Sequence, residues 1–193
     1  AISYNGTVQA LMTPIATGNE GWFCAAVSFN TVASANETIA DSGGGSASDR
    51  GVWFNRSATG NIRLHVSNGT TLAVATAPGV VPANTPVVVE GGWTPTTAFV
   101  SSTASTAEGT AVRSGDASPP TRSLRLGGFV TTSHPLNGPM TDFIHCQTVP
   151  TDSERDLIRK WMASTNRAPY WPELPTLSLD FASGVYTVSN GEV

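Results

Sequence analysis

The segment from about residue 21 to residue 147 follows a rhythm of short apolar runs separated by turn-forming residues. The runs are rich in Val, Phe, Trp, Thr and Ile, and Gly, Asn, Asp and Pro lie between them. Such runs are typical of β-strands, because β-branched and aromatic side chains suit a pleated surface. We predict nine strands, at Trp22–Phe29, Glu37–Ala40, Gly51–Asn55, Asn61–Val66, Thr70–Ala75, Pro86–Gly91, Thr97–Ser101, Ser123–Leu126 and Met140–Gln147. Nine strands suit two packed layers, so we expect an all-β fold, a two-layer antiparallel β-sandwich.

Turn residues between consecutive runs indicate hairpins in the middle of this segment. Ala58-Thr59-Gly60-Asn61 joins two runs and Ser67-Asn68-Gly69 joins the next two. Asn-Gly is favoured in tight turns that need positive φ, so the third, fourth and fifth strands are predicted to form a meander. The Gly- and Ser-rich stretch Ser42–Asp49 is predicted to be a flexible loop.

One short helix is predicted after the last of these strands. Thr151 and Glu154 have the spacing of a capping box, in which the two residues satisfy each other's exposed backbone N–H groups, and Pro150 precedes them. The apolar residues that follow recur at helical spacing and share one face: Leu157, Ile158, Trp161 and Met162. We expect this face to dock on the sandwich.

The composition changes after the helix, which suggests a domain boundary. We predict a sandwich domain over residues 1–168, and a Pro-rich C-terminal extension or the start of a further module over residues 169–193. Ser178–Val193 is expected to form one more strand pair or to open a longer segment. The chain begins without Met, and we expect it to be a processed or excised piece of a longer protein.

Charge and hydropathy exclude two classes of partner. The formal net charge is −4, and Lys160 is the only lysine among 193 residues. Nucleic acids and anionic membranes are bound by clustered cations, so neither is an expected partner. No run approaches the roughly 18 to 20 apolar residues of a spanning helix, so no membrane insertion is expected.

The two cysteines, Cys24 and Cys146, are too isolated for a zinc site. They are predicted to be either two buried free thiols or one disulfide between a first and a last strand. The residue pattern leaves both alternatives open.

No catalytic constellation emerges from the sequence. Glycoside hydrolysis needs two carboxylates near each other, whereas Glu90 and Asp142 are each the only acid on their predicted strand. The sequence has no nucleophile elbow and no metal-binding histidine spacing. His65 and His145 alternate with apolar residues, and we interpret them as hydrogen-bonded sheet histidines. His134 falls on a loop and is a candidate ligand contact.

Several residues suit the recognition of a neutral sugar, which takes an aromatic face and hydrogen-bonding side chains. Trp93 lies in Gly91-Gly92-Trp93-Thr94-Pro95, so we predict that it is exposed on a turn, with core packing as the alternative. Trp53 belongs either to the core or to a platform on the sheet face. A further group surrounds the Gly-rich loop and its hairpin, and forms either a polar pocket or a solvated rim: Asp49, Arg50, Asn55 and Arg56.

The order of these elements resembles a known family. The resemblance is carried by Gly21–Phe29, Gly51–Asn55, Ile62–Thr70, Pro86–Trp93, Leu124–Gly128, Leu136–Phe143 and the capped helix. Together they are similar to a concanavalin A-like lectin/glucanase, or laminin G-like, domain of jelly-roll type. The helix end Ser153–Ala163 is similar to that of bacteriophage tail-fibre and virion appendage proteins, and Leu179–Tyr186 resembles the opening of a further module in phage structural proteins.

The resemblance implies a function in recognition. We expect a non-catalytic carbohydrate-binding or adhesion module of a phage or phage-like particle, which binds host-surface polysaccharide. Such a module lies on the virion surface, is extracellular after release, contacts other virion structural proteins and is expected to be a homo-oligomer. The first alternative is a structural domain that joins fibre or spike subunits, possible contacts including Trp171. The second is a polysaccharide depolymerase.

The resemblance also raises the question of calcium, because animal members of the family build a calcium site from acidic loop residues. The counterparts available here are mainly Asp41 and Asp49, with Asp116 far off in sequence. We expect no cofactor, and calcium held by Asp41 and Asp49 is the alternative.

Overall fold

In the residues that the structure describes, the protein forms two six-stranded antiparallel sheets, one helix and a C-terminal hairpin. The computed structural model describes residues 2–5, 11–16, 18–43, 45–105, 107–114, 123–128, 134–166, 175–180 and 185–190. The elements are β1 (Ile2–Asn5), β2 (Leu11–Ala16), β3 (Gly21–Val27), β4 (Glu37–Asp41), β5 (Arg50–Arg56), β6 (Ile62–Asn68), β7 (Leu72–Thr76), β8 (Val87–Trp93), β9 (Thr97–Ser102), β10 (Gly109–Val112), β11 (Ser123–Leu126), β12 (Asn137–Cys146), α1 (Asp152–Thr165), β13 (Pro175–Asp180) and β14 (Val185–Asn190).

The two sheets differ in strand order. Sheet A has the order β1-β12-β3-β8-β9-β10, and sheet B has the order β2-β11-β4-β5-β6-β7. β13 and β14 form a separate two-stranded sheet. The predicted all-β sandwich is therefore confirmed, as are all nine predicted strands, the meander β5-β6-β7 and the helix. Asp116, Trp171 and residues 169–174 of the predicted extension lie outside the described residues, and the domain boundary stays a prediction.

The main core lies between the sheets. Alternate residues of each strand point into it, as the pleat requires, so that Val52 and Phe54 of β5 and Leu64 and Val66 of β6 are all buried there. The ring of Phe23 on β3 stacks on that of Phe54, with centroids 6.2 Å apart, and joins sheet A to sheet B. The intervening residues of the same strands therefore belong to the outer faces.

The outer face of sheet A is covered by α1. Thr151 and Glu154 form the predicted capping box at its start. Met162 and Ala163 of the helix are buried against the strands, and Ile158 and Trp161 pack at the margin. The sheet contributes the apolar residues Trp22, Cys24, Ala26, Val88 and Phe99. The predicted docking of the helix is thus confirmed.

Beneath α1 lies one buried carboxylate with a complete set of partners. Glu90 on β8 accepts hydrogen bonds from Trp22 Nε1 (2.9 Å), Ser101 Oγ (2.8 Å), Arg155 Nη2 (2.9 Å) and Arg159 Nη1 (2.8 Å). Burial opposes ionisation of Glu90, but the hydrogen bond and charge of Arg155, followed by the charge of Arg159, outweigh it, and the pKa of Glu90 lies below its ordinary value. The group therefore ties the helix to the sheet.

Cys24 and Cys146 lie on neighbouring strands and are both free. Cys24 pairs with Ile144 and Cys146 with Trp22 in the ladder of β3 and β12, so the two cysteines are not directly opposite. Burial raises the pKa of both thiols. Of the two alternatives, the structure has the free thiols, with Cys24 fully buried and Cys146 partly exposed. In the part of the chain that the structure describes, no helix is long and apolar enough to cross a bilayer.

Candidate functional site

The outer face of sheet B carries polar and aromatic side chains. Because Val52, Phe54, Leu64 and Val66 face the core, alternation places Trp53 and Asn55 of β5, and Arg63 and His65 of β6, on the opposite side. Strand register arranges the face in two rows. Arg125, Asp41, Trp53 and His65 follow one another across β11, β4, β5 and β6, and Thr38, Asn55 and Arg63 form the second row.

Trp53 lies at the centre of this face. Its ring centroid is 4.8 Å from that of His65, and 5.7 Å from that of His134, on which it stacks at an interplanar angle of 24°. The indole Nε1 donates to Thr38 Oγ1 at 3.0 Å. The side chain is only 6% exposed. Trp53 is therefore a residue of the sheet face, the second of its two predicted placements, but it is covered by imidazole rings.

Two buried polar side chains beside Trp53 have no hydrogen-bond partner. Asn55 is 0% exposed, and neither its Oδ1 nor its Nδ2 is bonded; His65 is 9% exposed, and neither ring nitrogen is bonded. Burial and then the charge of Arg63 lower the pKa of His65 to about 4, so the ring is neutral at pH 7. The predicted hydrogen-bonded state of His65 is wrong, because its neighbours in the ladder are Val74 and Trp53, whose Nε1 donates to Thr38 Oγ1 instead.

Charged groups flank the two unpartnered side chains. Arg63 lies directly opposite Asn55 on the neighbouring strand, and its buried Nε is also without a partner. Arg125 is opposite Asp41, whose Oδ1 accepts a hydrogen bond from Gly43 N at 2.8 Å. Guanidinium, carboxylate, amide, imidazole and indole groups therefore occur together on one sheet face.

A polar cleft opens at the end of the sandwich next to this face. Its volume is about 230 Å³, and its lining includes Thr31, Ser34, Asn36, Glu37, His134 and Asn137. His134 belongs to both places, since its ring stacks on Trp53 and the residue also lines the cleft. Its φ of 60° is in the left-handed region, which residues other than glycine rarely adopt. Its carbonyl accepts a hydrogen bond from Thr38 N, which fixes the loop to β4.

The predicted exposure of Trp93 is wrong. β8 extends through Trp93, and alternation directs its side chain into the core, where it is 0% exposed and its ring centroid is 5.0 Å from that of Phe23. Its Nε1 donates to the carbonyl of Gly18 at 3.0 Å. A Cβ on Gly21 would lie 2.5 Å from the Trp93 ring, so the glycine provides the space for the indole. The alternative of core packing is what the structure shows.

The residues predicted around the Gly-rich loop do not form one pocket. Asp49 and Arg50 lie at the start of β5 and Arg56 at its end, about 20 Å away for a strand of this length. Asp49 accepts a hydrogen bond from Ser46 Oγ at 2.9 Å, and Arg50 is exposed. Arg56 is buried in an ion pair with Glu37. Of the four, only Asn55 shares the face of Trp53.

The two residues considered for calcium are each hydrogen-bonded within the fold. Calcium takes about six to eight oxygen ligands, whereas a buried Asp41 bonds to Gly43 N and Asp49 bonds to Ser46. Within the described ranges, no group of three or more His, Cys, Asp and Glu side chains could hold a metal ion.

Sequence reasoning missed the contributions of His65, Arg63 and Arg125 to this face. The signal for two of them is present in Ile62-Arg63-Leu64-His65-Val66, where polar residues alternate with buried apolar ones. The same alternation in β5 assigns Asn55 to the face of Trp53. The order of the strands, which determines the residues that share a row across the sheet, was the missing information.

Comparison with known proteins identifies the fold. No protein-family model matches the chain, and no curated protein is similar to it in sequence. Among solved structures, it resembles the CBM40 module of the Ruminococcus gnavus IT-sialidase, bound to α2,3-sialyllactose, with a TM-score of 0.57 and 14% identity; the match covers 80% of this chain and 100% of that one.

Two further structures resemble it over only part of their length. Domains LG4-5 of the mouse laminin α1 chain have a TM-score of 0.54 and 13% identity, over 76% of this chain and 39% of that one. The enzymatically active domain of tailspike protein 2 from bacteriophage CBA120 has a TM-score of 0.56 and 13% identity, over 85% of this chain and 26% of that one. All share a concanavalin A-like, jelly-roll β-sandwich, which is the fold of this chain.

Proposed function

We propose that this chain is a non-catalytic carbohydrate-binding module that adheres to host-surface polysaccharide, and that it binds through the outer face of sheet B. The observation that carries the proposal is the pair Asn55 and His65, which are buried beside Trp53 without a partner. Each sugar hydroxyl donates and accepts hydrogen bonds, and therefore complements both an amide and a neutral imidazole. The indole supplies the apolar surface that a sugar ring needs.

A ligand can reach this site only if the side chains that cover it move. Asn55 and His65 are too buried for a ligand to reach them directly. Among the described aromatic rings on this face, that of His134 comes from a loop rather than from a strand. It stacks on Trp53 and so covers one surface of the indole. Binding therefore displaces the His134 ring, and a sugar ring takes its place on Trp53.

The non-catalytic role is supported by the state of the buried glutamates. Glu90 is enclosed by Trp22, Ser101, Arg155 and Arg159, and Glu37 is paired with Arg56. A hydrolytic acid or base must reach a glycosidic oxygen or a water molecule, which these ion pairs oppose. Reducing ends released from host polysaccharide by the pure protein would instead establish a depolymerase.

The biological setting is part of the proposal. The similarity of the helix end to virion appendage proteins and the tailspike among the structural neighbours support a place on the surface of a phage or phage-like particle. A homo-oligomer there presents several copies of a weak sugar site, and linked sites gain affinity from one another. Its other partners are virion structural proteins.

The test is binding to an array of bacterial capsular and cell-wall polysaccharides, with Arg63→Ala as the informative variant. Arg63 lies opposite Asn55, so its loss is expected to weaken binding about tenfold. Arg50→Ala is the matched control, because Arg50 is exposed at the far end of β5, and it should bind like the wild type. An array that stays blank with folded protein would overturn the proposal and favour a structural joining domain.

A further inference from the structure

The cleft beside His134 is lined by Glu37, whose carboxylate is paired with the buried Arg56, a residue that does not itself line the cleft. Arg56 Nε donates to Glu37 Oε2 at 2.7 Å, and Nη2 donates to the same carboxylate and to the carbonyl of Thr31 at 2.9 Å. The Arg56 guanidinium also lies 4.1 Å from the centroid of the Phe29 ring. Arg56 is fully buried, and its Nη1 has no partner. The Glu37 charge is thus balanced by Arg56, which still lacks one hydrogen-bond acceptor.

The walls of the cleft carry uncharged hydrogen-bonding groups. Asn36 Oδ1 accepts from Ala58 N at 3.1 Å and Asn137 Oδ1 accepts from Asn30 Nδ2 at 3.3 Å, which leaves both amide nitrogens for a ligand. Ser34 adds a hydroxyl at the rim. Hydroxyl groups, which donate and accept, match such a lining.

We propose that this cleft is a second sugar subsite, which takes a single uncharged sugar ring continuous with the one on Trp53. The inference rests on the proposed function, because the two subsites meet at His134. The volume of about 230 Å³ is below the roughly 300 to 1,000 Å³ of pockets for drug-sized ligands, so it has room for one ring rather than an oligosaccharide. The ligand therefore spans at least two sugars.

The charge balance of the cleft selects against acidic sugars. The Glu37 carboxylate lines the cleft, and the described lining residues include no arginine or lysine. A carboxylate or sulfate on the sugar would lie near Glu37 and would find no cation among these lining residues to pair with, and an unpaired charge at an interface is unfavourable. The Arg56 charge is already used by Glu37. An uncharged ring meets no such opposition.

The experiment fills the cleft and varies the charge of the sugar. Ser34 is exposed at the rim, so Ser34→Phe occupies the cleft with little effect on the core. Thr110→Phe, on the exposed edge strand β10, is the matched control. Each protein is titrated with the polysaccharides that were positive on the array and with a fixed panel of small sugars. The uncharged members of the panel are lactose, cellotriose and diacetylchitobiose, and the acidic members are sialyllactose and oligogalacturonate.

We expect at least one uncharged ligand to bind the wild type and Thr110→Phe equally, and Ser34→Phe about tenfold or more weakly. Equal binding by Ser34→Phe would overturn the second subsite and leave the proposed function intact. A preference of the wild type for the acidic sugars would overturn the selection for uncharged rings. A complete absence of binding by the wild type would overturn the proposed function itself, and the subsite with it.

Discussion

The two outer faces of the sandwich bury polar groups in opposite ways. On sheet A, Glu90 lies beneath α1 and every part of its carboxylate has a partner, with Arg155 and Arg159 neutralising the charge. On sheet B, Asn55 is as deeply buried and His65 is 9% exposed, and the fold supplies no partner for any of their four polar atoms. The carboxylate on sheet A is satisfied within the chain, and the amide and imidazole on sheet B are not.

This difference separates a structural role from a binding role. A buried polar group without a partner costs about 1–3 kcal/mol, which is a large part of the stability of an ordinary domain. Departures from full satisfaction in an otherwise consistent fold are expected at functional sites, where stability is given up for binding. Sheet A therefore shows how the fold is held together, and sheet B shows where a ligand completes it.

The largest effect is expected from Glu90→Gln. The change leaves the buried Arg155 without its main counter-charge, and it should lower the free energy of unfolding by about 3–5 kcal/mol, measured by urea denaturation. Glu108→Gln is the control, since Glu108 binds the same Arg155 but its side chain is 37% exposed, and the loss should stay below about 1 kcal/mol. Equal losses in the two variants would contradict the structural role of Glu90.

The second effect is a dependence of stability on pH that originates on sheet B. The pKa of His65 is about 4 in the folded chain, below the ordinary value of about 6.5, so the unfolded chain binds the proton first as the pH falls. Folding stability should therefore drop by about 3 kcal/mol between pH 6.5 and pH 4 through His65. His65→Phe should remove this part of the slope in urea titrations at pH 4.5 and 7.

Three other groups contribute to the background of that measurement. Burial lowers the pKa of His145 as well, and its smaller share should remain in His65→Phe. Burial raises the pKa of Glu37, so its contribution has the opposite sign and is lost as the pH rises through the folded pKa. The pKa of Glu90 is lowered by its arginines, so its contribution is complete above about pH 4.3 and is lost as the pH falls further, through the folded pKa. An unchanged slope above pH 4.5 in His65→Phe would show that His65 is not the responsible group.

Local signals were sufficient to predict most strands and the helix. The alternation in β5 and β6, the Asn-Gly turn and the capping box all act within a few residues, and all were found at the expected positions. β10 was missed because Gly109–Val112 is a short edge strand that forms by pairing with β9. Trp93 was misplaced because a glycine pair suggested a turn, whereas Gly21 on the neighbouring strand provides its space in the core.

The candidate site depended on contacts that no local pattern contains. Glu90 looked isolated because its partner Arg155 comes from a helix 65 residues further on. Trp53 and His134 are brought together by a loop, and the cleft exists only where β4 of one sheet and β12 of the other come close. Residue type and alternation could identify Asn55 as a surface candidate, but not its burial without a partner.

The smallest expected effect is a gain in stability on sheet B, opposite in sign to the loss expected from Glu90→Gln on sheet A. Asn55→Leu replaces an unpartnered amide by an apolar group of similar size, and should raise the free energy of unfolding by about 1 kcal/mol, or the melting temperature by about 2–4 °C. Asn68→Leu, on the same sheet, is the matched control. Asn68 accepts from Thr70 N and Thr71 N at 2.8 and 2.7 Å and donates to Ser114 O, so its loss should be destabilising.

The same two variants also connect stability with binding. If Asn55 is kept for a ligand, Asn55→Leu should gain stability and lose polysaccharide binding together, whereas Asn68→Leu should lose stability and keep binding when folded. A destabilised Asn55→Leu would mean that the amide has a partner in solution, such as ordered water, which the fold needs. The outer face of sheet B would then be satisfied like that of sheet A, and the contrast between the two faces would no longer point to a ligand.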